Sequence, residues 1–167
     1  MRGGGSCHAF LLTSAPRALR VSFSPMQRIE LVQEIPAPPD RVWAVYTDHE
    51  GWQRWAGIGE VVLRQQGYPP PNGLGAIRVI RHSGTAVEEE ITAFEPPKRM
   101  TYRLIAGAPI REHRGEVRLE PSGSGTRLSW NVEFKALIPG TGPLVRWVVE
   151  RMLRRILTRL ADYDFST

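Results

Sequence analysis

The strongest constraint on what this 167-residue chain can fold into is its order of periodicities. Over residues 58–136, apolar and polar side chains alternate in short runs, and turn-forming residues break the runs at hairpin-length intervals. A single long stretch of helical spacing then closes the chain. Short strands joined by tight turns pair antiparallel, because a parallel pair needs a crossover of a dozen residues or more. Such a sheet must cover its apolar face, and the terminal helix is the only element long enough to do so.

The order can be read residue by residue. Residues 27–35 place Ile29, Leu31 and Ile35 on one face and read as a strand. Pro36-Ala37-Pro38-Pro39 stops it. Proline suits a first helical turn, and Asp40 suits the positive end of a helix dipole. Residues 41–47 then read as a short helix, with Val42, Val45 and Tyr46 at helical spacing. Asp48-His49-Glu50-Gly51 ends it, with Asp48 and His49 expected as capping residues. Trp52-Gln53-Arg54-Trp55 adds a helical turn with both tryptophans on one face, as core or cavity rim. Strands are expected at 58–65, 76–81, 85–94, 100–105, 111–119 and 126–136. The closing helix is expected over 144–163, with Val145, Val148, Met152, Ile156 and Leu160 inward. Met152, Ile156 and Leu160 should then pack against Trp130, Val132 and Phe134. The fold class is α+β, a curved antiparallel sheet of about seven strands wrapped around a long C-terminal helix.

Length fits one domain. Residues 1–25 hold no acid and no regular pattern, and read as a disordered leader or a start placed ahead of Met26. Residues 26–167 form the expected ligand-binding domain. The net charge of +5 invites a nucleic-acid reading, but from Met26 onward 19 bases face 17 acids. No nucleic-acid partner is therefore expected. No apolar run approaches the ~20 residues of a membrane span. Ala9-Phe10-Leu11-Leu12 is too short for a secretory signal core, so the expected location is cytoplasmic. Cys7 is the single cysteine, which removes intramolecular disulfides and CxxC sites. His8, His49, His82 and His113 lack metal-ligand spacing. Gly73-Leu74-Gly75 precedes no helix and is no phosphate loop, and no serine sits in a nucleophile elbow. Neither metal nor cofactor is expected.

Ile35-Pro36-Ala37-Pro38-Pro39-Asp40-Arg41-Val42-Trp43 resembles the opening of the START/Bet v-type helix-grip superfamily (SRPBCC), and within it the polyketide cyclase/dehydrase-like branch. Asp48 followed by Trp52 and Trp55 resembles its second-helix segment. Glu90-Ile91-Thr92-Ala93-Phe94-Glu95-Pro96-Pro97-Lys98-Arg99-Met100 resembles its strand–Pro-Pro–strand hairpin. Gly125-Thr126-Arg127-Leu128-Ser129-Trp130 resembles its last turn and strand. The resemblance covers residues 27–163. It implies a cavity between helix and sheet for a hydrophobic small molecule of aromatic or polyketide-like kind. It brings no shared catalytic set.

Strand parity then proposes the cavity face. Met100, Tyr102 and Leu104 share one face, as do Leu128, Trp130, Val132 and Phe134. Val117 and Leu119 take His113 with them, and Val87 and Ile91 take Glu89, unless a bulge near Ala93-Phe94 swaps in Glu88 and Glu90. Glu89, His113 and Tyr102 are the candidate catalytic groups, since a buried carboxyl beside a histidine suits acid–base chemistry. They could equally hydrogen-bond one another or the backbone. The expected ligand contacts are Trp52, Trp55, Met100, Leu104, Val117, Trp130, Val132, Phe134, Met152 and Ile156. Three functions remain open: a carrier of a hydrophobic molecule, a cyclase or dehydratase in the same cavity, and a basic RNA- or membrane-surface module. A monomer or homodimer fits all three.

Overall fold

The structure is a computed structural model that describes residues 24–82 and 84–166. The expected leader thus lies outside the described residues, apart from buried Ser24 and exposed Pro25. The elements run β1 (Met26–Ile35), α1 (Pro39–Thr47), α2 (Trp52–Trp55), β2 (Val61–Gln65), β3 (Ile77–His82), β4 (Thr85–Glu95), β5 (Arg99–Ala106), β6 (Ile110–Ser122), β7 (Gly125–Ala136) and α3 (Gly142–Ala161). The strands form one antiparallel sheet in the order β1-β7-β6-β5-β4-β3-β2. Each hairpin therefore pairs sequence neighbours, and β1 returns to the far edge beside β7. This is the helix-grip fold.

Strand β2 starts three residues later than its pattern predicts. Gly57 has φ +67°, a left-handed conformation. A Cβ on Gly59 would lie 1.9 Å from the Arg81 carbonyl oxygen. The chain bends through these two glycines, and pairing begins only at Val61.

The core lies between the sheet and its helices. Leu128, Trp130, Val132 and Phe134 of β7 alternate inward, all buried. Helix α3 lies mainly against β1 and, more lightly, β7. Its buried residues are Gly142, Leu153, Ile156, Leu157 and Leu160, and the last four follow the i, i+3, i+4, i+7 spacing of one face. Met152 is not among them. It is 45% exposed, and Val148 is exposed too, which corrects the expected helix face. The reason is rotation: at 100° per residue, a stripe centred on Leu153, Ile156 and Leu160 leaves Met152 on its shoulder. Leu153 and Leu157 take the place given to Met152.

Leu160 is fully buried. Leu160→Ala should lower unfolding stability by about 2–5 kcal/mol, measured by urea denaturation. A loss inside experimental error would show the helix packed by another face.

Candidate functional site

The interior of the fold holds a charged pair. Arg78 stands on β3 directly opposite Glu89 on β4. Its guanidinium donates from Nε and Nη2 to the same carboxylate oxygen, at 2.9 and 2.8 Å. Arg78 is 1% exposed. Two bulges interrupt β4 against β5, between Glu88 and Glu89 and between Ile91 and Ala93. Neither lies between Glu89 and Ile91, so these two share the inward face. Glu88 and Glu90 point the other way, to Arg64 and Arg103.

Aromatic rings enclose the pair. The guanidinium carbon lies 4.6 Å from the Trp52 ring centre and 4.8 Å from that of Tyr102. Trp130 Nε1 donates to the Tyr102 hydroxyl at 2.8 Å, and Trp52 Nε1 donates to the Tyr46 carbonyl at 2.6 Å. Tyr46 packs against both Trp52 and Trp130. Gly115 makes room for Tyr102, its cross-strand partner, because a Cβ there would sit 2.1 Å from the ring. His113 packs against the same ring, with centroids 5.6 Å apart. Its Nδ1 accepts the Leu104 N–H at 3.0 Å, so the neutral ring carries its proton on Nε2.

Several buried polar atoms find no hydrogen-bond partner among the described residues: the Tyr46 hydroxyl, both ring nitrogens of His49, Trp55 Nε1, Asn72 Oδ1 and Arg78 Nη1. Arg78 neighbours the Tyr46 hydroxyl and Asn72 neighbours His49, but neither pair reaches hydrogen-bonding geometry. Buried polar groups in native interiors are ordinarily matched by protein, ordered water or a ligand, so Arg78, Tyr46, His49 and Asn72 are candidate partners for a bound water or ligand.

The surroundings set the protonation states. Burial opposes charge on Arg78, but Glu89 and the two tyrosines outweigh it and raise its pKa. Arg78 is therefore a permanent cation. Burial pushes the Tyr46 and Tyr102 hydroxyls above the ordinary tyrosine range, so both remain O–H donors. Burial, then the Arg78 charge, pulls His49 well below 6.5. His113 is lowered too, by burial first and against the pull of Glu89. Both histidines are neutral in the fold and take up protons more readily when unfolded. Their contribution to stability is thus complete above pH ~6.5 and falls away as the pH drops below it. Urea unfolding at about pH 7.5 and about pH 5 should show this loss. His49→Leu should flatten the dependence; an unchanged slope would mean that His49 does not titrate on unfolding.

A groove of about 1040 Å³ lies between α3 and the segment that follows α2, with the end of β3 beside it. Trp147, Val148, Met152 and Ile156 line it from the helix, and Ala56, Gly57, Ile58 and His82 face them. Arg151, Arg155 and Arg159 add positive charge. None of the charged-cluster residues lines it. Ala56 follows α2 directly, and its backbone N–H bonds to the Trp52 carbonyl, so the groove floor adjoins the aromatic wall of the cluster.

The residues expected from sequence divide accordingly. Glu89, Tyr102 and His113 do gather, but Glu89 binds Arg78, and the hydrogen bond to His113 Nδ1 comes from the backbone. Trp52 and Trp130 wall the cluster. Trp55 meets the rings of Trp52 and Tyr163 edge to face. Met100, Val117, Val132 and Phe134 are packed core, and Leu104 is half-buried. Met152 and Ile156 line the groove instead. His49 is no cap: it is fully buried, and Asp48 alone accepts the Gly51 N–H.

Sequence pattern singles out neither Arg78 nor Asn72 and gives Tyr46 only a place on one face of the first short helix. A signal for Arg78 existed. His82 pairs with Thr85, and counting back along that hairpin sets Arg78 against Glu89. Among the described residues no cluster of His, Cys, Asp or Glu could hold a metal, and no helix is long and apolar enough to cross a membrane.

Known proteins share this architecture. A START superfamily protein from Mycobacterium smegmatis matches with a TM-score of 0.70 at 13% identity, over 81% of this chain and 94% of its own. The Zhui aromatase/cyclase from Streptomyces sp. R1128 matches with a TM-score of 0.69 at 18% identity, over 83% and 93%. At these identities the likeness shows the fold. In sequence, the uncharacterized protein Rv2574 of Mycobacterium tuberculosis is 28% identical over 130 residues, 75% of this chain and 77% of that protein. The model of one family, polyketide cyclase/dehydrase and lipid transport, spans residues 26–163, from the first strand past the last helix. The chain therefore belongs to the polyketide cyclase/dehydrase and lipid transport family.

Proposed function

We propose that this protein binds a hydrophobic small molecule whose inner end carries an acceptor oxygen, and that it holds the molecule without transforming it. The observation that carries this reading is the pair of buried, unmatched donors, Arg78 Nη1 and the Tyr46 hydroxyl, set in an aromatic interior. An apolar ligand body gains by leaving water, and one well-placed oxygen satisfies the donors and fixes its orientation. A carbonyl, carboxylate or phenolic oxygen fits. The groove beside α3 is the route inward. Binding is favoured over acid–base catalysis because Glu89 is engaged by a permanent cation and does not pair with His113.

Native mass spectrometry of the purified protein should reveal a co-purifying organic molecule. Tryptophan fluorescence gives a defined probe, because Trp52 and Trp130 border the donors. A naphthoquinone should quench it saturably and bind more tightly than naphthalene, which lacks the oxygen. Tyr46→Phe deletes only an unmatched hydroxyl. It should leave stability unchanged or raise it by up to about 1–2 kcal/mol, while weakening the naphthoquinone about tenfold. If the quinone and naphthalene bind alike, or Tyr46→Phe binds the quinone as the parent does, the orienting role is wrong.

A further inference from the structure

We infer that the outward face of α3 is a docking surface for an anionic lipid bilayer. The first turns of the helix expose Leu144, Trp147 and Val148 at 64%, 60% and 52%. Leu137 and Ile138, in the segment leading into the helix, are exposed as well. They fall within one short span of chain, residues 137–148, that ends in the first turns of α3. Large apolar side chains grouped in this way mark an interaction site, whereas scattered ones do not.

The next turns carry the charge. Arg151, Arg155 and Arg159 lie one turn apart on the same side and make no ion pair among the described residues. Arg151 instead lies over the Trp147 ring at 5.9 Å. Glu150 is the one carboxylate lining the groove, and it is engaged by Arg146 and Arg154. The face thus offers an apolar half to hydrocarbon and a basic half to phosphate, the arrangement of helices that lie in a bilayer interface.

Charge complementarity selects among the occupants. A second copy docking through the same face would set these three unpaired arginines near their own symmetry mates. A nucleic acid would meet the arginines but leave Leu144, Trp147 and Val148 without an apolar phase. An acidic membrane surface satisfies both halves. The inference does not require the ligand reading, although Trp147, Val148, Arg151, Arg155 and Arg159 also line the groove taken as the ligand's route; vesicle flotation without ligand tests the membrane contact alone.

The test is flotation of the full chain with vesicles of phosphatidylcholine and with equimolar phosphatidylcholine and phosphatidylglycerol. Partition onto the anionic vesicles should exceed that onto the neutral ones by about tenfold or more and should weaken with added salt. Trp147→Ser, and separately the pair Arg155→Glu with Arg159→Glu, should each lower it by about tenfold. Far-ultraviolet circular dichroism and the melting temperature should not change, since these side chains are exposed. Equal partition onto both vesicles, absence of partition, or variants that bind like the parent overturns the proposal. The last result would assign binding to the basic segment of residues 1–25. A dimer abolished by Trp147→Ser without vesicle binding, or binding to polyuridylate alone, overturns it as well.

Discussion

Arg78→Ala is expected to destabilise the protein by about 3–5 kcal/mol, as judged by urea unfolding at neutral pH. The loss arises less from the bond itself than from what remains. Glu89 would keep its buried place, 8% exposed, without the cation that both Nε and Nη2 now present to it. Burying an uncompensated carboxylate costs several kcal/mol, and the chain can avoid this only by protonating it or opening the sheet. The two rings stacked on the guanidinium, Trp52 and Tyr102, would also lose their contact with it. Replacing both partners with apolar residues of similar size, Arg78→Met with Glu89→Leu, should recover most of the loss. A double-mutant cycle isolates the coupling, because the two residues touch. A cost below about 1 kcal/mol for Arg78→Ala would mean that water reaches the pair. If the doubly apolar variant is as stable as the parent yet fails to bind the naphthoquinone, the pair serves the ligand and not the fold.

Gly115→Val should cost about 2–5 kcal/mol and disorder the cluster from its other side. A Cβ at position 115 would lie 2.1 Å from Tyr102 Cζ and 2.5 Å from its hydroxyl oxygen, so the ring has to leave. Trp130 Nε1 then loses its acceptor inside the core, and Arg78 loses one of its two aromatic faces. Near-ultraviolet circular dichroism should report the change, since Trp130, Tyr46 and Trp52 pack together. The specific check is rescue. In a Tyr102→Leu background, Gly115→Ala should cost far less than it does alone, because the obstructing ring is gone. Equal costs in the two backgrounds would show that the glycine is needed for its backbone and not for the space above it.

Both substitutions bear on residues that local pattern could only half reveal. Parity placed Glu89 with Ile91, Tyr102 with Met100, and His113 with Gly115, each on the inward face. That much follows from the two-residue repeat of a strand. What a side chain touches once inside depends on the neighbouring strand. Glu89 met Arg78 because the β3–β4 hairpin pairs His82 with Thr85, and His113 met the Leu104 N–H beside the bulge of β6 between Arg111 and Arg114. His49 looked like part of a helix end, and only the packing of α2 and the segment around Asn72 over it made it a buried, neutral group.

The order and type of the elements, the antiparallel pairing of successive strands and the existence of one covering helix are legible from residue order alone. These depend on periodicity and turn chemistry within a few residues of each position. Tertiary structure decided which stripe of α3 faces the sheet, why Met152 is outside while Leu153 and Leu157 are inside, and which polar groups meet at the centre. A helix with apolar residues on more than one side has no unique inward face until the sheet selects one. Here the exposed Leu144, Trp147, Val148 and Met152 are as apolar as the stripe that was buried. The curvature of the sheet and the placement of β1 beside β7 made the selection, and these are contacts between residues a hundred positions apart.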